Sequence, residues 1–210
     1  MRTTRALAAL TLGLSIALSA CGTDDSSDKA DRSTTKHNDA DVAFANGMIP
    51  HHAQALSMAD MTMDRELDPK VSALVEDIRA AQGPEIETMT DWLTDWDEEI
   101  PETMRDHVNS GHGDTDSQEQ MEGMDDMGDM GDMGDMPGMM SAQDMSALEE
   151  ATGADFQQMW LEMMVEHHEG AVEMAETEKS EGQYQPAVDL AEEIISAQES
   201  EIAAMENLLS

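Results

Sequence analysis

The sequence predicts an all-α protein, a four-helix bundle built from two duplicated helical hairpins. Apolar side chains recur at helical spacing along four long stretches, strand signals are almost missing, and only 3% of the residues are aromatic. The segment from Met48 to Ala59 also reappears, shifted by 116 residues, from Met164 to Ala175. Neither hairpin can bury its apolar stripe alone, so the two copies are expected to pack into one domain over residues 39–209.

The first hairpin is predicted over residues 39–97. Asp39 is its expected N-cap, and apolar residues then recur at helical spacing to about Arg65. The second helix begins near Pro69 and runs to the end of the hairpin. Pro50 lies inside the first helix and is expected to kink or restart it, because proline has no amide N–H to donate.

The second hairpin is predicted over residues 155–209. Asp155 is the expected N-cap of a helix that reaches about Lys179, and a turn that contains a glycine follows. The last helix is predicted over 185–209, and a small extra helix over 142–150. Each copy therefore supplies two antiparallel helices to the bundle.

The first 20 residues are typical of a bacterial export signal, with two arginines, an apolar stretch and then small residues. The run from Leu18 to Cys21 resembles a lipobox, which implies cleavage before Cys21 and lipid attachment to that residue. Residues 21–38 are rich in Ser, Thr, Asp and Lys and predict a flexible tether. We therefore expect an extracytoplasmic lipoprotein, anchored to a membrane of the bacterial cell envelope. The alternative is a buried N-terminal helix.

The composition restricts the partners and the chemistry of any site. The formal net charge is −37, so nucleic acids and anionic lipid surfaces are poor partners and cations are favoured. Cys21 is the only cysteine. If it carries the lipid, no disulfide can form, and a metal site must use His, Met or carboxylate side chains.

Between the hairpins, residues 106–141 form a linker rich in Met, Gly and Asp. Glycine at this density opposes helix formation, so the linker is predicted to be disordered when no ligand is bound. Thioethers at every third residue suit weak, multivalent capture of Cu(I) or Ag(I), whereas the alternative is a repeat that expanded without a role. The candidate soft ligands are Met121, Met124, Met127, Met130, Met133, Met136 and Met139.

The residues that persist between the two copies form the candidate site in the bundle. On a helical wheel, His52 points into the bundle with Met48 and His51 lies on its flank, and the second copy repeats this arrangement. Imidazole and thioether side chains one turn apart can share a metal ion. The candidate ligands are Met48, His51, His52 and Met58, with their copies Met164, His167, His168 and Met174.

In each hairpin, two polar residues lie on the apolar stripe of the second helix. They are Gln82 and Glu85 in the first hairpin, and Gln198 and Glu201 in the second. Buried polar groups need hydrogen-bond partners, and the facing histidines are the obvious ones. These residues could hold metal-binding histidines in place. The alternative is a network of His, Glu and Gln that fixes the register of the helices without any ligand.

Ligand softness favours copper among the metals. Thioethers and imidazoles without a thiolate suit Cu(I), and sites where His and carboxylate gather suit Cu(II). Calcium would leave the methionines without a role. A di-iron centre in a bundle needs repeated Glu-x-x-His pairs, and the first copy has no glutamate in its Met-Ile-Pro-His-His motif.

The motif Met48-Ile-Pro-His-His52, with the residues that follow it, resembles the hallmark of the DUF305 family, which is named for unknown function. The match continues through Met58-Ala59, Gln82 and Glu85, and the second copy resembles it equally. The resemblance covers about residues 39–96 and 155–209. It implies a ferritin-like four-helix bundle, export in bacteria, copper binding or tolerance in some relatives, and no established catalytic activity.

These observations predict an extracytoplasmic metal-binding protein that buffers copper, confers tolerance to it or passes it on. No nucleophile or cofactor motif indicates an enzyme. Two alternatives stay open: an envelope interaction or stress protein whose histidines form core hydrogen bonds, and a ferritin-like oxidoreductase that uses a redox metal. The sequence does not identify a protein partner.

Overall fold

The computed structural model describes residues 32–103 and 136–210. The helices within these residues are numbered α1 to α5 in chain order. They are α1 (Asp39–Asp60), α2 (Pro69–Trp96), α3 (Ala142–Glu150), α4 (Gly153–Glu181) and α5 (Gln185–Leu209). The predicted all-α bundle is confirmed, and α3 is the small extra helix. Among the described residues, no helix is both long and apolar enough to cross a lipid bilayer.

The ends of two helices differ from the prediction. Asn38, not Asp39, caps α1, and the buried Asp41 completes the capping box by accepting the Asn38 amide N–H at 2.6 Å. α1 ends at Asp60, about one turn before the predicted end, because residues 61–64 form turns. Helix α4 starts at Gly153, two residues before Asp155 and directly after its N-cap Thr152.

Pro50 does not interrupt α1, so the expected restart of the helix is wrong. A proline inside a helix removes one backbone hydrogen bond and crowds the preceding turn. Here Pro50 is buried, and packing of α1 on both of its neighbouring helices offsets this cost, so the helix continues through that position. α2 tolerates Pro84 in the same way.

α1 packs against α2, α4 packs against α5, and the two hairpins meet where α1 packs against α4. Along α1, the residues up to Ile49 belong to one hydrophobic cluster and those from Ala55 onward to a second cluster. Along α4 the order is reversed: the second cluster ends at Met164 and the first resumes at Ala171. The antiparallel crossing of α1 and α4 therefore places the histidines between two apolar clusters.

The ends of two segments that were predicted to be flexible pack against the bundle. Arg32 donates a hydrogen bond to the Lys179 carbonyl at 2.6 Å, and Ser33 pairs with the turn between α4 and α5. At the other end of the linker, residues 136–140, here called the strap, lie across α1 and α4. The described parts of the predicted tether (21–38) and linker (106–141) thus contact the bundle. The predicted signal peptide, Cys21, and the linker methionines from Met121 to Met133 lie outside the described residues.

Candidate metal centre

Four histidines lie at the crossing of α1 and α4: His51, His52, His167 and His168. All four have no exposed surface. The prediction that His51 lies on the flank of the bundle is therefore wrong. A helical wheel with one apolar stripe assumes one neighbour, whereas α1 has two, α2 on one side and α4 on the other, so both adjacent residues are buried.

The outer histidine of each copy pairs with a glutamate of its own hairpin. His52 Nε2 lies 2.8 Å from Glu85 Oε2, and His168 Nε2 lies 2.8 Å from Glu201 Oε2. An ionised carboxylate only accepts hydrogen bonds, so Nε2 carries the proton in both pairs. In the neutral form of each ring, Nδ1 is then the atom with the free lone pair, and it has no hydrogen-bond partner among the described residues. Histidines that bind metals commonly donate their second N–H to a carboxylate in this manner.

The inner histidines, His51 and His167, come from different copies and face each other. Their ring centroids are 3.8 Å apart, with the rings tilted by 41°. His51 Nε2 donates to the Pro137 carbonyl at 3.1 Å, which leaves its Nδ1 without a partner in the described chain. Neither ring nitrogen of His167 makes a hydrogen bond of good geometry there. The two copies thus bring together two imidazoles with free nitrogen lone pairs.

Burial holds the inner histidines in the neutral form. Loss of solvation, and after it the charge of His52, lowers the pKa of His51 to about 3. Burial and the neighbouring histidines His51, His168 and His52 lower the pKa of His167 well below 6.5, while a weak backbone contact with His51 acts in the opposite direction. Neutral imidazole is the form that binds metal ions, so these rings need not lose a proton to do so.

Gln82 and Gln198 are also buried, with 2% and 3% of their surface exposed. They lie one turn before the paired glutamates, but neither the amide nitrogen nor the oxygen of Gln82 has a hydrogen-bond partner. Apart from the two Glu178 oxygens, every buried side-chain N or O atom without a partner in the described residues belongs to the four histidines or to these two glutamines. An unpaired buried polar group costs about 1–3 kcal/mol, so the cluster is expensive without a ligand.

The candidate methionines occupy three kinds of position. Met48 and Met164 are fully buried one turn before the inner histidines. Met58 is also fully buried, in the hydrophobic cluster beyond the histidines. Its copy Met174 is partly exposed, and its sulfur lies beside Gly47, on the turn that precedes His51.

The strap covers the site through contacts that the sequence did not predict. Gln54 binds both backbone groups of Met140, donating to its carbonyl at 2.9 Å and accepting from its amide at 2.8 Å. On the facing helix, a Cβ at Gly170 would lie only 2.0 Å from the Pro137 carbonyl oxygen, so only glycine leaves room for the strap. One signal was available: Gln54 and Gly170 are equivalent positions that differ between the copies.

The arrangement lacks a carboxylate cage. No three His, Cys, Asp or Glu side chains in residues 32–103 and 136–210 come together as a metal-binding group. The donors present are imidazole nitrogens, with thioethers close by in the chain. Such a donor set fits a soft ion of low coordination number and does not fit calcium or magnesium.

Comparison with known proteins identifies relatives. The sequence profile of the family described as domain of unknown function (DUF305) matches residues 41–209. A Streptomyces coelicolor protein, described as a secreted DUF305 protein, shares 31% identity over 81% of this chain and 91% of its own, with a TM-score of 0.62. CopM in its Cu(II)-bound form shares 24% identity over 80% of this chain and 95% of its own, with a TM-score of 0.58.

A further relative is uncharacterized protein L153 of Acanthamoeba polyphaga mimivirus. It is 40% identical to this chain over 53 residues. The match spans 25% of this chain and 35% of the viral protein. The viral relative therefore shares only one part of its length with this chain.

Proposed function

This chain belongs to the DUF305 family, and we propose that it works outside the cytoplasm as a lipid-anchored copper-binding protein that buffers copper, confers tolerance to it or delivers it. The metal would bind at the inner histidines, His51 and His167. Met48 and Met164, one turn before them, would supply thioethers. Met58 is a further thioether candidate for this ion, whereas the predicted ligand Met174 lies apart from it, beside Gly47.

The observation that carries this proposal is the set of unpaired ring nitrogens at the helix crossing. His51, His52 and His168 each bind a protein acceptor through Nε2, and each has an Nδ1 without a partner among the described residues. A network that served only to fix helix register would satisfy its buried members, because unpaired polar atoms are costly. Ring nitrogens without a hydrogen-bond partner instead fit a ligand that accepts electron pairs.

Copper suits this donor set better than the other common metals. Cu(I) accepts two to four soft donors with little demand on geometry, and imidazole and thioether are both among its ligands. The carboxylates of Glu85 and Glu201 would not touch the ion. They hold the outer rings by their Nε2 atoms and raise the basicity of those rings.

Two relatives support the proposal. CopM, which has the same fold, has been observed in Cu(II)-bound, Cu(I)-bound and silver-bound forms. The Streptomyces coelicolor relative is described as secreted, in agreement with the export signal expected at the start of this chain. The lipid anchor at Cys21 rests on the sequence motif alone.

Anaerobic titration of the purified chain with Cu(I) against a competing chelator tests the proposal. We expect the His51→Phe/His167→Phe variant to lose more affinity than the roughly 10- to 100-fold that removal of an outer hydrogen-bond partner costs. His37→Phe is the matched control, because His37 stacks on Trp96 outside the site. A variant without residues 121–135 keeps the strap and should retain the tight site.

Circular dichroism and thermal unfolding at neutral pH show whether the variants fold. His51→Gln/His167→Gln provides a polar replacement if the Phe variant does not fold. Wild-type affinity in the folded double variant would rule out the inner histidines as ligands. Failure of the wild-type chain to bind Cu(I) would refute the copper-binding function itself.

A further inference from the structure

The sulfur atoms of Met136 and Met174 converge on one point at the surface of α1. A Cβ at Gly47 would lie 3.5 Å from the Met174 sulfur and 3.8 Å from the Met136 sulfur. Met136 belongs to the strap and Met174 to α4, so the two thioethers come from separate parts of the chain. Gly47 has no side chain, so both sulfurs can lie close to the backbone of α1 at this position.

This position differs from that of the equivalent methionine in the first copy. Met58 is fully buried in a hydrophobic cluster, whereas Met174, Met136 and Gly47 are all partly exposed. Met136 belongs to neither hydrophobic cluster of the described residues. The Met136 side chain thus lies beside Met174 without belonging to either cluster, and both residues are partly exposed to solvent.

The strap holds Met136 in this place. The next residue, Pro137, accepts the His51 hydrogen bond at 3.1 Å, and Met140 is tied to Gln54 through two hydrogen bonds. A Cβ at Gly138 would lie 2.6 Å from the Glu166 carbonyl, so the backbone there is pressed against α4. A donor held by its backbone loses less conformational entropy on binding than one on a free chain.

The chemistry of the pair selects one class of ligand. Neutral thioethers bind soft monovalent ions such as Cu(I) and Ag(I), and they bind hard divalent cations poorly. Methionine has three rotatable bonds, so both side chains can close on an ion without backbone movement. The formal charge of −37 raises the local concentration of cations around the chain.

We propose that Met136 and Met174 form a bis-thioether site for Cu(I) or Ag(I) at Gly47, open to solvent and separate from the inner histidines. Only the choice of ion rests on the proposed function. The site begins one residue before Pro137, the strap residue that holds His51. An ion captured by the two sulfurs would therefore sit one helical turn from the buried imidazoles.

Methyl NMR of the full chain, labelled with ¹³C at the methionine methyl groups, tests this site with Ag(I) as the probe. We expect the Met136 and Met174 signals to shift together with one midpoint, and Met136→Leu to abolish the response of Met174. Gly47→Leu should fill the gap and weaken this binding on the order of tenfold, which corresponds to about 1.4 kcal/mol.

Two controls match these changes. Gly83→Leu places the same side chain on a helical glycine with nothing within 4 Å, and Met63→Leu removes the sulfur of a methionine that is 64% exposed. Both should leave the joint shift intact. Methyl signals that do not move, move with different midpoints, or respond in Met136→Leu as in the wild type would overturn the site.

The His51→Phe/His167→Phe variant separates the two proposals. If the histidine site is wrong and the thioether site is right, Ag(I) still shifts both methyl signals in this variant. If the thioether site is wrong and the histidine site is right, the wild-type chain binds metal in a manner that depends on the histidines while both methyl signals stay in place.

Discussion

The two copies of the hairpin agree at the histidine-glutamate pairs and differ in the residues around them. The distance between the histidine and glutamate is 2.8 Å in both copies. Yet in the first copy Pro50 lies two residues before His52 and Pro84 lies directly before Glu85, whereas Glu166 and Ser200 take their places in the second. The geometry of the pair therefore comes from the register of the two packed helices and not from the prolines.

One difference between the copies lies where the strap crosses. Gln54 binds the strap in the first copy, and Gly170 makes room for it in the second. A symmetric pair of hairpins would offer the strap two equivalent faces. Divergence at this one position shows how a duplicated bundle can keep a symmetric centre and still bind a single extra segment in one orientation.

Removing the inner histidines, which lie directly before the paired histidines in both copies, should have the largest effect. Unfolded histidines take up protons near pH 6.5, whereas the folded pKa of His51 is about 3 and that of His167 is also well below its ordinary value. The free energy of unfolding should therefore have its full value above pH 6.5. Below that pH it should fall by about 1.4 kcal/mol per pH unit for each histidine.

Urea unfolding of the metal-free chain at pH 7 and pH 5, with a chelator present, measures this slope. The His51→Phe/His167→Phe variant should gain about 4 kcal/mol relative to the wild type between these two pH values. His37→Phe should not change the slope. Identical pH dependence in the double variant and the wild type would show that these histidines are protonated in the folded chain.

A side chain at position 170 would fill the space that the second copy leaves for the strap. A Cβ there would lie 2.0 Å from the Pro137 carbonyl oxygen, so the strap must move. We expect Gly170→Ala to cost about 3 kcal/mol in the free energy of unfolding, at the upper end of overpacking effects. Hydrogen exchange of the amides from Gly138 to Met140 should become faster.

Gly83→Ala is the control for this change, since a Cβ at Gly83 meets nothing within 4 Å. Alanine is the better helix former, so this variant should be more stable by roughly 0.5–1 kcal/mol. Wild-type stability and unchanged exchange in Gly170→Ala would contradict the close approach of the strap to α4.

A smaller effect on stability is expected at the C-terminal ends of α1 and α4, where the two copies carry different residues at equivalent positions. Thr62 donates to the Ala59 carbonyl, whereas its equivalent Glu178 is buried with 1% exposed surface. Burial, and after it the neighbouring Asp41 carboxylate, raises the pKa of Glu178 to about 8. The stability that this group contributes is present below pH 4.5 and is lost as the pH rises to 8.

Glu178→Gln should remove this loss. We expect the variant to gain about 1–2 kcal/mol over the wild type between pH 5 and pH 8.5, measured by urea unfolding. Glu181→Gln, an exposed residue on the same helix, is the control and should gain nothing. A gain that does not depend on pH would mean that Glu178 is already ionised at pH 5.

Most of the fold followed from the helical spacing of apolar residues and from the internal repeat. The positions of α2 and α5 and the packing of two hairpins were predicted, because both depend on amphipathic stripes. The continuous α1 was not predicted, because the cost of Pro50 is offset by packing against two neighbours that no local pattern reveals. The repeat also singled out the histidines, but the wheel placed His51 on the wrong face.

By itself, the sequence determined the fold class and the residue types of the candidate site, because periodicity and repetition can be read along the chain. Only the tertiary structure decided that His51 meets His167, that Met136 lies beside Met174, and that the strap covers this crossing. The strap's hydrogen bonds to α1 join residues 86 positions apart. Such contacts depend on the angle and register at which two helices cross, and these come from side-chain packing in three dimensions.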